Sequence, residues 1–182
     1  MIPRFPKILE RPPAKVLVAD PPWSFGDKLA MSDVKRGSAS NYSVLSLNQI
    51  KAFPMPYPIA DDALLFLWRV ASQQEEALSV MRAWGFVPKS EIVWEKLTPT
   101  GKLAFGMGRY VRMCHEVCLI GRKGKAAVRD RSVRSVFSAP LGLHSAKPEE
   151  FFDIVEKLAE GPYVELFARR QRAGWHCFGD EL

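Results

Sequence analysis

The tightest constraint on this chain is a short apolar run that ends in two prolines. Val16-Leu17-Val18-Ala19 lies between Pro13 and Asp20-Pro21-Pro22-Trp23. A run of that length, rich in β-branched residues, reads as a buried strand. Pro21 and Pro22 have no N–H to give a ladder and their φ is fixed, so the strand has to stop at Asp20. The chain then leaves the sheet with a carboxylate, stiff carbonyls and an indole held close together. In α/β sheets the carboxyl ends of strands are where ligands sit.

The remaining pattern says which kind of sheet. Further strands are expected at 64–70, 91–94, 116–120, 163–167 and 175–178. Helices are expected at 46–53, at 72–84 with Gly85 as a stop, and after Pro148, where Glu149 and Glu150 precede an apolar pattern. Residues 23–46 read as a long polar loop, 99–108 as a mobile glycine-containing loop, and 121–143 as basic and irregular. Strands alternating with helices argue for an α/β fold with a largely parallel sheet. A length of 182 residues fits a single domain, 1–182. With 47% hydrophobic and 25% charged residues, wholesale disorder is excluded. The longest apolar run, 63–68, is too short to cross a membrane, and the proline-rich N-terminus lacks a signal-peptide core. Three cysteines do not make a disulfide framework, so a cytoplasmic, reduced protein is expected.

The net charge of +6 is unevenly spread. Lys102, Arg109, Arg112, Arg122, Lys123, Lys125, Arg129, Arg131 and Arg134 crowd into 101–136 against only Glu116 and Asp130. Such a basic stretch favours a polyanionic partner, nucleic acid before membrane. Phe105, Tyr110 and Phe137 lie in or beside it as candidate stacking neighbours for bases. Cys114, His115 and Cys118 lack a fourth ligand, so no metal is expected.

Asp20-Pro21-Pro22-Trp23 has a chemistry of its own. Asp20 and the Pro21 carbonyl can accept both hydrogens of an exocyclic amine while Trp23 offers a ring to stack on. Adenine N6 is such an amine, and its lone pair is delocalised into the ring. Hydrogen bonds to both N–H groups favour a pyramidal nitrogen whose lone pair is free to attack a methyl group held in line.

Several short motifs then fall in register: 18–23 (VADPPW), 63–68 (ALLFLW), 91–96 (EIVWEK), 116–124 (EVCLIGRKG), 144–149 (HSAKPE) and 165–169 (ELFAR). Together they resemble the D-P-P-W adenine-N6 methyltransferase family, named after the seventy-kilodalton subunit of the mRNA adenosine methyltransferase, and in particular its small bacterial and phage DNA adenine methyltransferases. The resemblance implies a Rossmann-like, S-adenosyl-L-methionine-dependent fold in permuted order, catalytic motif first and cofactor motif last. It implies Asp20, Pro21, Pro22 and Trp23 as catalytic. Lys147 would pair with the methionine carboxylate. Glu165, Phe167, Arg169, Gln171, Asp180 and Glu181 would line the cofactor. Tyr42, Arg109, Arg112, Arg129, Arg131 and Arg134 would meet the nucleic acid, DNA favoured over RNA. The pairing habit of the wider class admits a homodimer. The chain departs from the family at Ala168, where glycine is usual, and at Gln171-Arg172 and Asp180-Glu181. RNA adenosine methylation, a non-catalytic nucleic-acid-binding relative, and methylation of another amine such as cytosine N4 are the competing readings.

Overall fold

The computed structural model describes residues 11–24, 44–108, 110–142, 146–180 and 182. Its elements are β1 (Ala14–Ala19), α1 (Leu47–Lys51), β2 (Ile59–Arg69), α2 (Gln74–Ala83), β3 (Val87–Leu97), β4 (His115–Lys123), β5 (Val136–Pro140), α3 (Glu149–Leu158), β6 (Tyr163–Leu166) and β7 (Trp175–Phe178). The strands form one seven-stranded sheet in the order β5-β3-β4-β2-β1-β6-β7. β1 runs parallel to β2 and β6, β6 to β7, and β3 to β5. β4 is antiparallel to both its neighbours, so it is the one reversed strand. The largely parallel sheet expected from the sequence is therefore present, as part of a mixed α/β fold.

Each face of the sheet carries an apolar layer. On one, Leu17, Ala19, Leu65 and Leu67 pack with Ala77, Val80 and Met81 of α2 and Ile50 of α1. On the other, Val16, Val18, Phe66 and Trp68 pack with Phe151, Phe152 and Val155 of α3. The alternation of odd and even residues between the faces is the two-residue period of a strand buried on both sides. α1 begins with a capping box in which Ser46 and Gln49 satisfy each other's backbone N–H groups. α2 ends before Gly85, whose φ of 84° is the left-handed stop expected there.

One stretch differs from expectation. Residues 121–143 are not wholly irregular: β5 lies within them and pairs with β3 from Val93↔Val136 to Leu97↔Pro140. Its five residues carry a proline and the run Ser138-Ala139-Pro140, which is tolerable on an edge strand and hides the strand pattern. Among the described residues no helix is long and apolar enough to cross a membrane.

Candidate functional site

Three strand ends and one helix start meet at the carboxyl edge of the sheet. β1 delivers Asp20, β3 delivers Lys96, the reversed β4 delivers Glu116 near its start, and the turn into α3 delivers Lys147. The reversal of β4 matters here, because it brings that strand's beginning to the edge where its neighbours end.

These four side chains form an alternating chain of charge. Lys147 Nζ lies 2.6 Å from Asp20 Oδ2 and 3.3 Å from Glu116 Oε2. Lys96 Nζ donates to Glu116 Oε1 at 2.7 Å. Arg169 Nη2 stands 3.9 Å from the same Asp20 oxygen. Trp68 closes the back, with Lys147 Nζ 5.1 Å above its ring. Burial works against the Lys147 ammonium, and the Asp20 and Glu116 carboxylates outweigh it, so its pKa rises above the ordinary lysine value. Burial likewise opposes ionisation of Glu116, and Lys147 and Lys96 outweigh it, so its pKa falls. Glu116 and Lys147 are thus both held in their charged forms.

The proline turn supplies acceptors of fixed direction. Trp23 N–H donates to Pro21 O at 2.8 Å, and Leu45 N–H to Pro22 O at 3.0 Å. A carbonyl has two lone pairs, so Pro21 O retains one for a second donor. Trp23 does not present the open stacking face read from the sequence. It is 5% exposed and its Nε1 donates to Trp68 O at 3.1 Å. The indole anchors the turn from beneath, because an N–H buried in the core needs a partner and the Trp68 carbonyl at the end of β2 provides one.

The last two strands complete the edge. Glu165 sits in β6 between Val18 and Cys177. It is 9% exposed. Burial pushes its carboxyl up to about 7, with Arg170 and Lys147 pulling the other way. Cys177 Sγ approaches its Oε2 at 3.9 Å. Phe167 follows with φ of 60°, a left-handed conformation costing a non-glycine residue about 1 kcal/mol. Its ring packs on Phe53 at 4.6 Å. That turn sends Ala168–Arg172 back across the sheet edge, where Arg170 donates to Lys147 O at 3.2 Å.

The residues fit a zwitterionic, hydroxyl-bearing cofactor such as S-adenosylmethionine. Glu165 is a buried acceptor whose Oε2 lies 3.9 Å from the Cys177 thiol, suited to an ammonium or a ribose hydroxyl. Arg169 offers a cation at the same edge.

The family profile for MT-A70 matches residues 14–181. The chain belongs to the MT-A70 family. It is 31% identical over 196 residues to the type II methyltransferase M.MunI of a Mycoplasma species, covering 98% of this chain and 81% of that one. It is 32% identical over 184 residues to the mouse N(6)-adenine-specific methyltransferase METTL4, covering 91% of this chain and 37% of that one. It is 28% identical over 177 residues to the Drosophila melanogaster N(6)-adenosine-methyltransferase MT-A70-like protein, covering 92% of this chain and 26% of that one. This MT-A70 chain thus spans most of M.MunI and well under half of the two animal proteins.

Within this MT-A70 chain the expected site residues separate into groups. Asp20, Lys147, Glu165 and Arg169 come together. Lys147, expected to pair with the cofactor's methionine carboxylate, has its ammonium beside Asp20 and Glu116. Gln171 and Asp180 are exposed beyond the ends of β6 and β7. Arg112 is exposed on the arm between β3 and β4. Arg129, Arg131 and Arg134 are exposed but are not its neighbours along the edge. Arg129 N–H donates to Leu158 O at the C-terminal end of α3, whereas Lys147 precedes the N-terminal end. One helix length, about 15 Å, therefore separates Arg129 from the charge chain. Phe137 is half-buried and packs against the core, its ring 6.5 Å from that of Phe151. Tyr42, Arg109 and Glu181 lie outside the described residues.

Lys96 is a site residue that sequence reasoning did not place in the chemistry. Its signal is a charge soon after the apolar run Ile92-Val93-Trp94, toward the end of a strand. Which partner such a charge faces depends on strand order, which one strand does not reveal.

Proposed function

We propose that this protein transfers a methyl group from S-adenosylmethionine to N6 of adenine in nucleic acid, DNA before RNA. The observation that carries the reading is the Asp20 carboxylate at the end of β1, fixed by Lys147 at 2.6 Å beside the Pro21 carbonyl. Membership of the MT-A70 family over residues 14–181 supports it. So do relatives named as N(6)-adenine-specific and N(6)-adenosine methyltransferases. DNA is put first because the likeness that runs over most of both chains is with a type II methyltransferase.

In this reading S-adenosylmethionine supplies an electrophilic methyl group. Asp20 and the free lone pair of Pro21 O accept the two N6–H groups and hold the nitrogen so that its own lone pair faces the methyl. Lys147 and Arg169 keep Asp20 aimed. Glu165 accepts from the cofactor ammonium or ribose, with Phe167 at its side. Gln171, Asp180 and Glu181 extend that surface, Tyr42 meets the base, and Arg109, Arg112, Arg129, Arg131 and Arg134 meet phosphates. The motif order, catalytic at β1 and cofactor at β6, is the permuted form of a Rossmann-like methyltransferase. A single cytoplasmic domain that pairs as a homodimer completes the proposal.

Methyl transfer from labelled S-adenosylmethionine to duplex DNA, single-stranded DNA and RNA, read by nucleoside mass spectrometry, tests it. N6-methyladenine in DNA is expected. Product in RNA alone overturns the substrate, and cofactor binding without N6-methyladenine in any of the three overturns the reaction.

A further inference from the structure

Beside the charge chain stands an arm whose aromatic rings have no part in the proposed chemistry. Residues 98–113 leave β3 at Leu97 and return to β4 at His115. The arm is built on the backbone of Lys96, which donates to Cys114 O at 2.8 Å and accepts from Ala104 N–H at 2.8 Å. Leu97 and Leu103 form an antiparallel bridge. Gly106 N–H donates to Met113 O at 3.1 Å. A Cβ on Gly106 would collide with that same carbonyl, and one on Gly108 with the Val111 carbonyl, so glycine permits the two limbs to close on each other. The arm is thus tied back on itself by hydrogen bonds.

Its outer surface is unusual for a soluble protein. Phe105 is 77% exposed, Met107 89% and Tyr110 91%, with Leu103 and Val111 also exposed. Apolar side chains concentrated in so short a stretch mark a binding surface. The Arg112 guanidinium lies 4.8 Å from the centre of the Phe105 ring. No Asp or Glu occurs between Leu97 and Cys114, while Lys102 and Arg112 add positive charge. A two-fold contact between copies through this patch would set those cations against themselves. An anionic partner with flat apolar faces meets both demands. Bases inside a duplex already have both faces covered by stacking, so a projecting ring finds a free face only on an unpaired base.

We infer that the 98–113 arm is a stacking platform for unpaired bases of a nucleic-acid strand, with Phe105 and Tyr110 as its rings and Arg112 as its cation. The inference deepens the proposed function and rests on it for the identity of the strand as substrate. It assigns the substrate class: a strand single-stranded, or opened, beside the target adenine.

Fluorescence anisotropy of a labelled mixed-sequence DNA of about 12 nucleotides, single-stranded and as the matching duplex, tests it on the full chain. Phe105→Ala and Tyr110→Ala are each expected to weaken single-strand binding about tenfold and duplex binding by less than about twofold. Phe105→Trp should restore single-strand affinity, with indole fluorescence quenched when the strand is added. Both rings are exposed, so the melting temperature of each variant should match the parent and exclude misfolding. Equal losses on both DNA forms, no loss on either, or a parent protein that binds neither form would overturn the platform. So would a parent dimer that the alanine variants dissociate, which would assign the arm to a second copy. The methyl-transfer assay separates the two readings. Ring-dependent strand binding without N6-methyladenine overturns the reaction and leaves the arm. N6-methyladenine with ring-independent binding does the reverse.

Discussion

At the scale of single residues, Asp20 and Lys147 behave as one unit. Asp20→Ala is expected to abolish methyl transfer while leaving S-adenosylmethionine affinity within a few-fold. Lys147→Ala strands the Asp20 and Glu116 carboxylates without their shared ammonium. It should therefore reduce turnover as well as cofactor affinity and lower stability by roughly 3 kcal/mol, which differential scanning calorimetry would read as a drop of about 10 °C. The double variant should be no less active than the worse single one; additive losses in kcat would show that the two act separately. Glu165 sets a pH dependence. Its folded pKa, near 7, is above that of an exposed glutamate. The folded protein thus holds a proton that the unfolded chain has lost, and stability falls as pH rises through that window, then levels off. Glu165→Gln removes the fall, so the variant should gain melting temperature on its parent between pH 5 and pH 8. If the cofactor needs the ionised carboxylate, parental affinity should weaken about tenfold for each pH unit below 7. A flat binding profile would exclude Glu165 from the cofactor.

At the scale of elements, α3 and the β6–β7 connection are tied by Arg172. Its guanidinium reaches Asp153 Oδ1 at 2.8 Å and Glu156 Oε1 at 3.1 Å, and also pairs with Glu149. Trp175 Nε1 donates to Glu156 Oε1 at 2.7 Å. Arg172 is one of the positions where the chain departs from the family, and here it is engaged by carboxylates of α3. Three acids on one helix face would repel without it. Arg172→Ala should cost about 1–2 kcal/mol, partial exposure weakening the pairs. Calorimetry would read that as a fall of a few degrees, with cofactor affinity measured alongside. A large loss of affinity at unchanged melting temperature would instead assign Arg172 to the cofactor.

At the scale of the whole molecule, the basic residues do not form one patch. Arg112 stands on the arm beside the charge chain, and Arg129 sits at the far end of α3. A strand that met both would have to run along the molecule for about 15 Å, several nucleotides. Replacing Arg129, Arg131 and Arg134 by Ala should weaken binding of all sequences alike and flatten the slope of log affinity against log salt, each lost phosphate contact removing about 0.9 from a duplex slope. An unchanged salt series would confine the nucleic acid to the arm and the charge chain.

Much of this was legible in the sequence because it is local. A β-branched run stopped by Pro21 and Pro22 can only be a strand that ends at Asp20, and Pro148 followed by two acids can only begin a helix such as α3. The periodicities of two and near 3.6 depend on neighbours in the chain, so the layered α/β fold followed from them. Strand order does not. That β4 runs backwards, and so brings Glu116 to Lys147 and Lys96, is settled by which strands pair, an arrangement of residues far apart in the chain. The same holds for Trp23: its composition offers a ring to a base, and only the position of the Trp68 carbonyl turns that ring inward. β5 stayed hidden because an edge strand needs little apolar pattern of its own. Charge followed the same division. The sequence fixes how many arginines there are, and packing around α3 decides which of them meet a partner and which brace the fold.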